Sequence, residues 1–294
     1  MSEQKLLDPD FMRTLENMSF VSRKVFRGLL KGERRSKKKG ISIEFADYRE
    51  YVPGDDLRFL DWNILGRLNK LLLRLFQEEE DLNLYFLIDN SKSMSFGSPT
   101  KYTYAKKIAA SLGYIALNNL DRIAVGIFDR ELKHIYPLSR GKKHVWKLLN
   151  FLENAPEGGE TDMHNAFRAF PIRFRHSGIV VIISDFLDVQ GLEKAYKFFS
   201  PRSYEVIAIQ VLAEEEIEPT LTGDIKLVDS ENGATTDLSI SADLLQRYQF
   251  VLSGFMQQLS DYCSRNGIFY LYTSNQAPIE DLLLRYLKKL GIVK

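Results

Sequence analysis

The chain has 294 residues, of which 45% are hydrophobic and 27% charged, enough for one large domain or two modest ones with a packed core. A net charge of +1 supplies no global attraction to nucleic acid or to a membrane surface. One cysteine and four scattered histidines exclude an internal disulfide framework and a cysteine-based zinc site. No signal-type segment opens the sequence and no apolar run reaches membrane-spanning length. A cytoplasmic location is therefore expected, with peripheral membrane association left open.

In chain order, two short helices are expected at about 8–17 and 19–31. The run from Lys31 to Gly40 holds Arg34, Arg35, Lys37, Lys38 and Lys39 between two glycines. It reads equally as a solvated loop or as a docking patch for an acidic partner. Residues 41–80 form a compact prefix. Tyr51-Val-Pro-Gly-Asp-Asp56 has strong turn chemistry, the run from Leu57 to Trp62 carries apolar groups toward a core, and Leu71–Phe76 alternates as a strand should. From residue 82 the pattern becomes βα. Strands are expected at 82–88, 123–128, 133–138, 179–184, 204–211 and 268–272, each an apolar run rich in β-branched or aromatic residues. Helices are expected at about 101–119, 142–153, 163–170, 190–199, 241–265 and 278–290. The second and third strands form a hairpin through Asp129–Glu131, and turn signals at 212–240 predict an exposed β-hairpin insert. The fold class is thus α/β: a mostly parallel, doubly wound sheet of Rossmann type, with residues 1–80 packed on a main domain at 81–294.

Three loops of this arrangement carry oxygen donors. Asp89-Asn-Ser91-Lys-Ser93 follows the first strand of the sheet, where open α/β folds bind ligands. Thr161 ends a Gly158-Gly159-Glu160 loop before a helix, and Asp185 follows the strand 179–184. Asp89, Ser91, Ser93, Thr161 and Asp185 together suit a hard divalent cation, Mg²⁺ first and Mn²⁺ or Ca²⁺ next. Three neutral hydroxyls as direct ligands leave the ion's charge poorly compensated, so it seeks an Asp or Glu from another protein. Singly, each residue has an ordinary alternative. Ser91 and Ser93 can cap the next helix or shape the turn, Thr161 can be an N-cap, and Asp185 can be a turn acid.

At these residues the chain resembles the von Willebrand factor A domain and its metal-ion-dependent adhesion site, whose three motif parts match Asp89-x-Ser91-x-Ser93, Thr161 and Asp185. The family's threonine loop is often Gly-Gly-Thr; here it is Gly159-Glu160-Thr161. The prefix motifs Glu44-Phe45, Asp47-Tyr48-Arg49-x-Tyr51, Gly54-Asp55-Asp56-x-Arg58 and Asp61-Trp62 narrow the resemblance to the bacterial family called domain of unknown function 58. So do Glu78–Glu80, Met94, Glu216 and Asp229-x-Glu231-x-Gly233. The resemblance implies an adaptor working beside a MoxR-type AAA+ ATPase in assembly, maturation or stress response. Longer relatives carry N-terminal membrane helices that this sequence does not show.

Three functions are weighed. The first is a metal-dependent protein-interaction module without enzymatic activity, binding an ATPase of this type or its client. The second is a Mg²⁺-dependent phosphatase or phosphotransferase, for which a second metal carboxylate two residues after Asp89 is missing. The third is nucleic-acid binding through Lys31–Lys39, against which the near-neutral charge counts. No phosphate-binding loop of the G-x-x-x-x-G-K-[ST] type occurs.

Overall fold

The computed structural model describes residues 6–19, 43–78, 82–159, 162–220, 223–228 and 235–283. It divides into two compact units, one of residues 1–27 with 82–294, the other of residues 28–81.

The larger unit is built on a six-stranded sheet. Its strands are β3 (Asn83–Asp89), β4 (Arg122–Phe128), β5 (Leu132–Arg140), β6 (Gly178–Ser184), β7 (Tyr204–Leu212) and β10 (Phe269–Ser274), in the order β10-β7-β6-β3-β4-β5. Every pairing is parallel except β4 with β5, which form the expected hairpin. The central strands are continuous apolar runs because helices cover both faces. All nine residues of β7 are buried. Successive side chains alternate between the faces. Leu84, Phe86 and Ile88 of β3 face a core made with α3 (Lys101–Asn118) and α4 (Val145–Glu153). Tyr85 and Leu87 face the opposite core, made with α5 (Met163–Arg168), α6 (Val189–Tyr196) and the buried end of α7 (Ala242–Asn266). The chain leaves β3 for β4 on one side and returns to β6 on the other, and β3 pairs directly with both. The crevice at their carboxyl ends is therefore the switch point at which such sheets bind ligands.

The helices expected from sequence are present among the described residues, with local differences. The third stops at Arg168 and resumes as a single turn at Phe170–Arg173, because Pro171 has no N–H to continue the first ladder. The last is described as Ile279–Asp281, and residues 284–290 of its expected span lie outside the described residues. The insert is a hairpin of β8 (Gly223–Val228) and β9 (Thr235–Ile240). The helix α1 (Pro9–Leu15) belongs to this unit although the sequence places it with the prefix. Asp8 caps it by accepting from the Asp10 amide at 3.0 Å, and Leu15 and Met18 enter the α3 core. Tyr114 of α3 donates to Glu16 at 3.0 Å. Burial of Leu15 alone contributes about 1.5–3 kcal/mol, which is why this segment joins the sheet domain. Residues 20–31 of the second expected helix and the basic run to Gly40 lie outside the described residues. No helix among the described residues is long and apolar enough to cross a membrane.

The smaller unit pairs β1 (Ile43–Glu50) antiparallel with β2 (Leu72–Glu78) and places α2 (Trp62–Leu68) between them in the chain. Asp61 is its polar hub. Its Oδ1 accepts from the amides of Asn63 and Ile64 at 3.0 and 3.2 Å, capping α2. Its Oδ2 accepts from Arg74 Nε at 2.7 Å and from the Tyr48 hydroxyl at 3.0 Å. Tyr48 and Arg74 are cross-strand partners, so one register brings both to the same carboxylate. The Arg74 guanidinium, assisted by the two amides and Tyr48, holds that carboxyl far below the ordinary range. Arg49 with Asp55 (2.8 Å) and Arg58 with Asp56 (2.6 Å) also close within this unit. One expectation is corrected here. In the run 57–62 only Leu60 and Asp61 are buried, while Leu57, Phe59 and Trp62 are 52%, 46% and 63% exposed. Leu57 and Phe59 lie in a 3₁₀ turn capped by Asp56, and the Asp61 cap then turns the chain into α2 at Trp62. Asp61→Ala removes every one of the hub's bonds at once. Amide exchange at Asn63, Ile64 and along β1–β2 should rise about tenfold or more, with α3 and β6 unchanged. Unaltered protection would show that the hub does not hold the unit.

Candidate metal centre

Asp89 ends β3 and is 1% exposed. Its Oδ1 accepts from the Ser91 amide at 2.9 Å, which bends the chain sharply out of the strand. Its Oδ2 accepts from the Ser184 hydroxyl, at the end of the neighbouring strand β6, at 2.6 Å. Ser184 in turn accepts from the Phe186 amide at 3.0 Å and so shapes the turn that carries Asp185. Burial pushes the Asp89 carboxyl up to about 7, and the nearby charge of Asp185 pushes in the same direction. The groups that bond Asp89, the Ser91 amide and the Ser184 hydroxyl, are neutral and do not offset its charge.

The Ser91 and Ser93 hydroxyls lie 3.0 Å apart. Ser91 stands at the start of a 3₁₀ turn, Lys92–Ser95, but its side chain makes no capping bond, and α3 is capped instead by Thr100. The two hydroxyls therefore bond each other, and that of Ser91 also meets the Asp89 carboxyl, rather than a helix end. Asp185, 3% exposed, accepts from the Leu187 amide at 3.3 Å through Oδ1, the turn role that sequence allows. Its Oδ2 accepts from Lys101 Nζ at 2.9 Å. The Gln210 amide fixes the Asp185 carbonyl at 2.8 Å.

The glycine loop is tied to the same place. The Lys92 amide donates to the Gly159 carbonyl at 2.8 Å, and the Gly158 amide donates to Asn90 Oδ1 at 3.1 Å. A Cβ at Gly159 would stand 2.6 Å from Asp129 Cβ, so the loop's close approach needs glycine. Asp162 caps α5 by accepting from the Asn165 amide at 3.0 Å. Thr161 itself lies outside the described residues. Of the five expected donors, the structure thus brings Asp89, Ser91, Ser93 and Asp185 to one sheet edge, and it anchors the loop leading to Thr161 beside them.

The donor set fits a hard cation on chemical grounds. Paired hydroxyls offer neutral oxygens, and two buried carboxylates can hold the ion's water molecules. Among the described residues no group of three or more His, Cys, Asp or Glu is placed to hold a metal ion. Sequence reasoning does not reach Ser184, nor the engagement of Lys101 with Asp185 and Glu216. Lys101 carried a signal, since a cation at the first position of a helix opposes the helix dipole and so calls for a partner.

The family model described as "Protein of unknown function DUF58" matches residues 47–258. Among curated proteins, the chain is 28% identical over 242 residues to the uncharacterized protein Rv1480 of Mycobacterium tuberculosis, covering 81% of this chain and 76% of that one. Among solved structures, it is similar to the conserved hypothetical protein BatB from Bacteroides thetaiotaomicron, at 13% identity and a TM-score of 0.40 over 71% of this chain and 98% of that one. The SpRpn10 VWA domain matches at 11% identity and a TM-score of 0.42 over 70% and 94%.

Proposed function

Because the chain belongs to the family described as protein of unknown function DUF58, and its larger unit has the von Willebrand factor A-like order of strands, we propose that it is a metal-ion-dependent protein-interaction module. Asp89, Ser91, Ser93, Thr161 and Asp185 hold one divalent cation, Mg²⁺ before Mn²⁺ or Ca²⁺. The ion supplies an electrophilic point that accepts an Asp or Glu side chain from the partner. The partner is a MoxR-type AAA+ ATPase or its client, and the module acts as an adaptor in the cytoplasm.

The observation that carries this reading is the pairing of the Ser91 and Ser93 hydroxyls beside a buried carboxylate that burial and Asp185 both press toward protonation. A bound cation relieves that pressure. Phosphoryl transfer is the weaker reading. It needs a cation free to meet the phosphate, and Lys101, the nearest lysine of α3, is buried between Asp185 and Glu216.

Calorimetry tests the reading. Wild-type protein should bind one Mg²⁺ or Mn²⁺, and Ser91→Ala/Ser93→Ala should weaken that binding by about a hundredfold or more while leaving the far-UV spectrum unchanged. Equal binding by both proteins would remove the serines from the site. Incubation with phosphate esters and nucleotides should give no turnover above background. Hydrolysis that disappears in Asp89→Asn would replace the adaptor reading with the enzymatic one.

A further inference from the structure

Lys101 opens α3, and its side chain has no exposure. The amino end of a helix is the wrong place for a cation, and burial of an ammonium is costly unless partners surround it. Two do. Asp185 Oδ2 lies at 2.9 Å and Glu216 Oε1 at 2.7 Å from Nζ. Glu216 comes from the turn after β7 and is fixed by the Ala213 amide, which donates to its Oε2 at 2.8 Å. Buried ion groups of this kind are poor stabilisers, and apolar side chains of similar volume often do as well. Stability alone therefore does not account for a lysine at this position.

Charge does. Asp185 is one of the two carboxylates of the metal centre, and Lys101 neutralises it from behind. Asp89, Asp185, Glu216 and Lys101 together sum to two negative charges, so a divalent cation leaves the loaded centre neutral. Without the lysine, the loaded centre would carry one negative charge and would repel an anionic ligand. We propose that Lys101, balanced by Glu216, sets the charge of this centre so that the loaded site selects an anionic ligand at the expense of some metal affinity. The inference rests on the metal-dependent reading above.

The test uses full-length protein at pH 8, with Mn²⁺ as the metal and acetate as the carboxylate probe. Mn²⁺ affinity is read by calorimetry. Acetate affinity is read from the loss of water-proton relaxation as acetate displaces Mn²⁺-bound water. Lys101→Met should tighten Mn²⁺ and weaken acetate, each by about tenfold, the scale of one unit charge at short range in a partly buried site. Glu216→Gln should do the reverse. Lys101→Met/Glu216→Gln restores the original sum of charges and should return both affinities to within about threefold of wild type. A purely structural triad would lower the melting temperature of all three variants without moving the two affinities in opposite directions. Should Lys101→Met not fold, the opposite shifts expected of Glu216→Gln and their reversal in the double variant decide the matter alone. Wild-type binding of Mn²⁺ with unchanged affinities in the variants overturns this inference and leaves the metal centre standing. No Mn²⁺ binding by wild type overturns both.

Discussion

The Asp89→Asn protein should melt several degrees above wild type in chelator at pH 8, although it loses its metal response. The sign follows from linkage. Burial and Asp185 raise the Asp89 carboxyl to about 7 in the folded protein, against about 4 in an unfolded chain. The folded state therefore binds the proton more tightly, and stability falls as pH rises from about 4 to about 7. Above that window the buried charge destabilises the folded protein. Asparagine removes the charge and keeps the shape. Its carbonyl still accepts from the Ser91 amide. Its amide meets the Ser184 hydroxyl, which has a second lone pair to offer besides the one used by Phe186. A net gain of about 1–3 kcal/mol corresponds to several degrees in a protein of this size. At pH 4.5 wild type is already protonated, and the two proteins should melt together. Saturating Mg²⁺ should raise wild type by mass action, about 2.7 kcal/mol at a hundred times the dissociation constant, and leave the variant unmoved. A variant less stable than wild type at pH 8 in chelator would mean that the Asp89 charge is structurally favourable, contrary to a site that waits for a cation.

This tension between stability and site explains much of what could be read in advance. The sheet was legible because its strands are long apolar runs. Asn83–Asp89, Gly178–Ser184 and Tyr204–Leu212 are buried on both faces, and covering both faces demands a helix after nearly every strand. The order of those strands, with β3 between β6 and β4, then gathers the ends that carry Asp89 and Asp185. The smaller unit was less legible. The strand β1 contains Asp47, Arg49 and Glu50 and is interrupted by a bulge between Phe45 and Asp47, so no clean alternation marks it. The exposed Trp62 looks like a core residue by composition and is not one; it stands where the Asp61 cap turns the chain into α2.

Within the site, the positions of Asp89, Ser91, Ser93 and Asp185 were legible because each stands a short way from a strand end. The groups that position them were not. Ser184 is the last residue of an apolar strand, where a hydroxyl attracts no notice, yet it bonds Asp89 across the β3–β6 pair. Lys101 and Glu216 are separated by 115 residues and meet only because α3 and the turn after β7 converge over Asp185. Such partners are set by tertiary register, which a single sequence does not display.

Removal of the metal should cost a protein partner most of its affinity, whereas neutralising the basic run should cost mainly association rate. Coordination of a partner carboxylate is short-range and directional. Chelator, or Ser91→Ala/Ser93→Ala, should therefore raise the dissociation constant by a hundredfold or more, mostly through faster release. The charges of Lys31, Arg34, Arg35, Lys37, Lys38 and Lys39 attract an acidic partner without a directional contact. At ordinary salt their field is screened beyond about 8–10 Å. Their neutralisation should slow association by about tenfold at low salt, flatten the salt dependence, and leave the metal dependence intact. Surface plasmon resonance against a MoxR-type ATPase, with Mg²⁺ and with chelator at two salt concentrations, separates the two effects. If the serine variant binds as wild type does while the neutralised variant loses binding at every salt concentration, the basic run is the interface. The carboxylate-to-metal contact would then play no part in holding the partner.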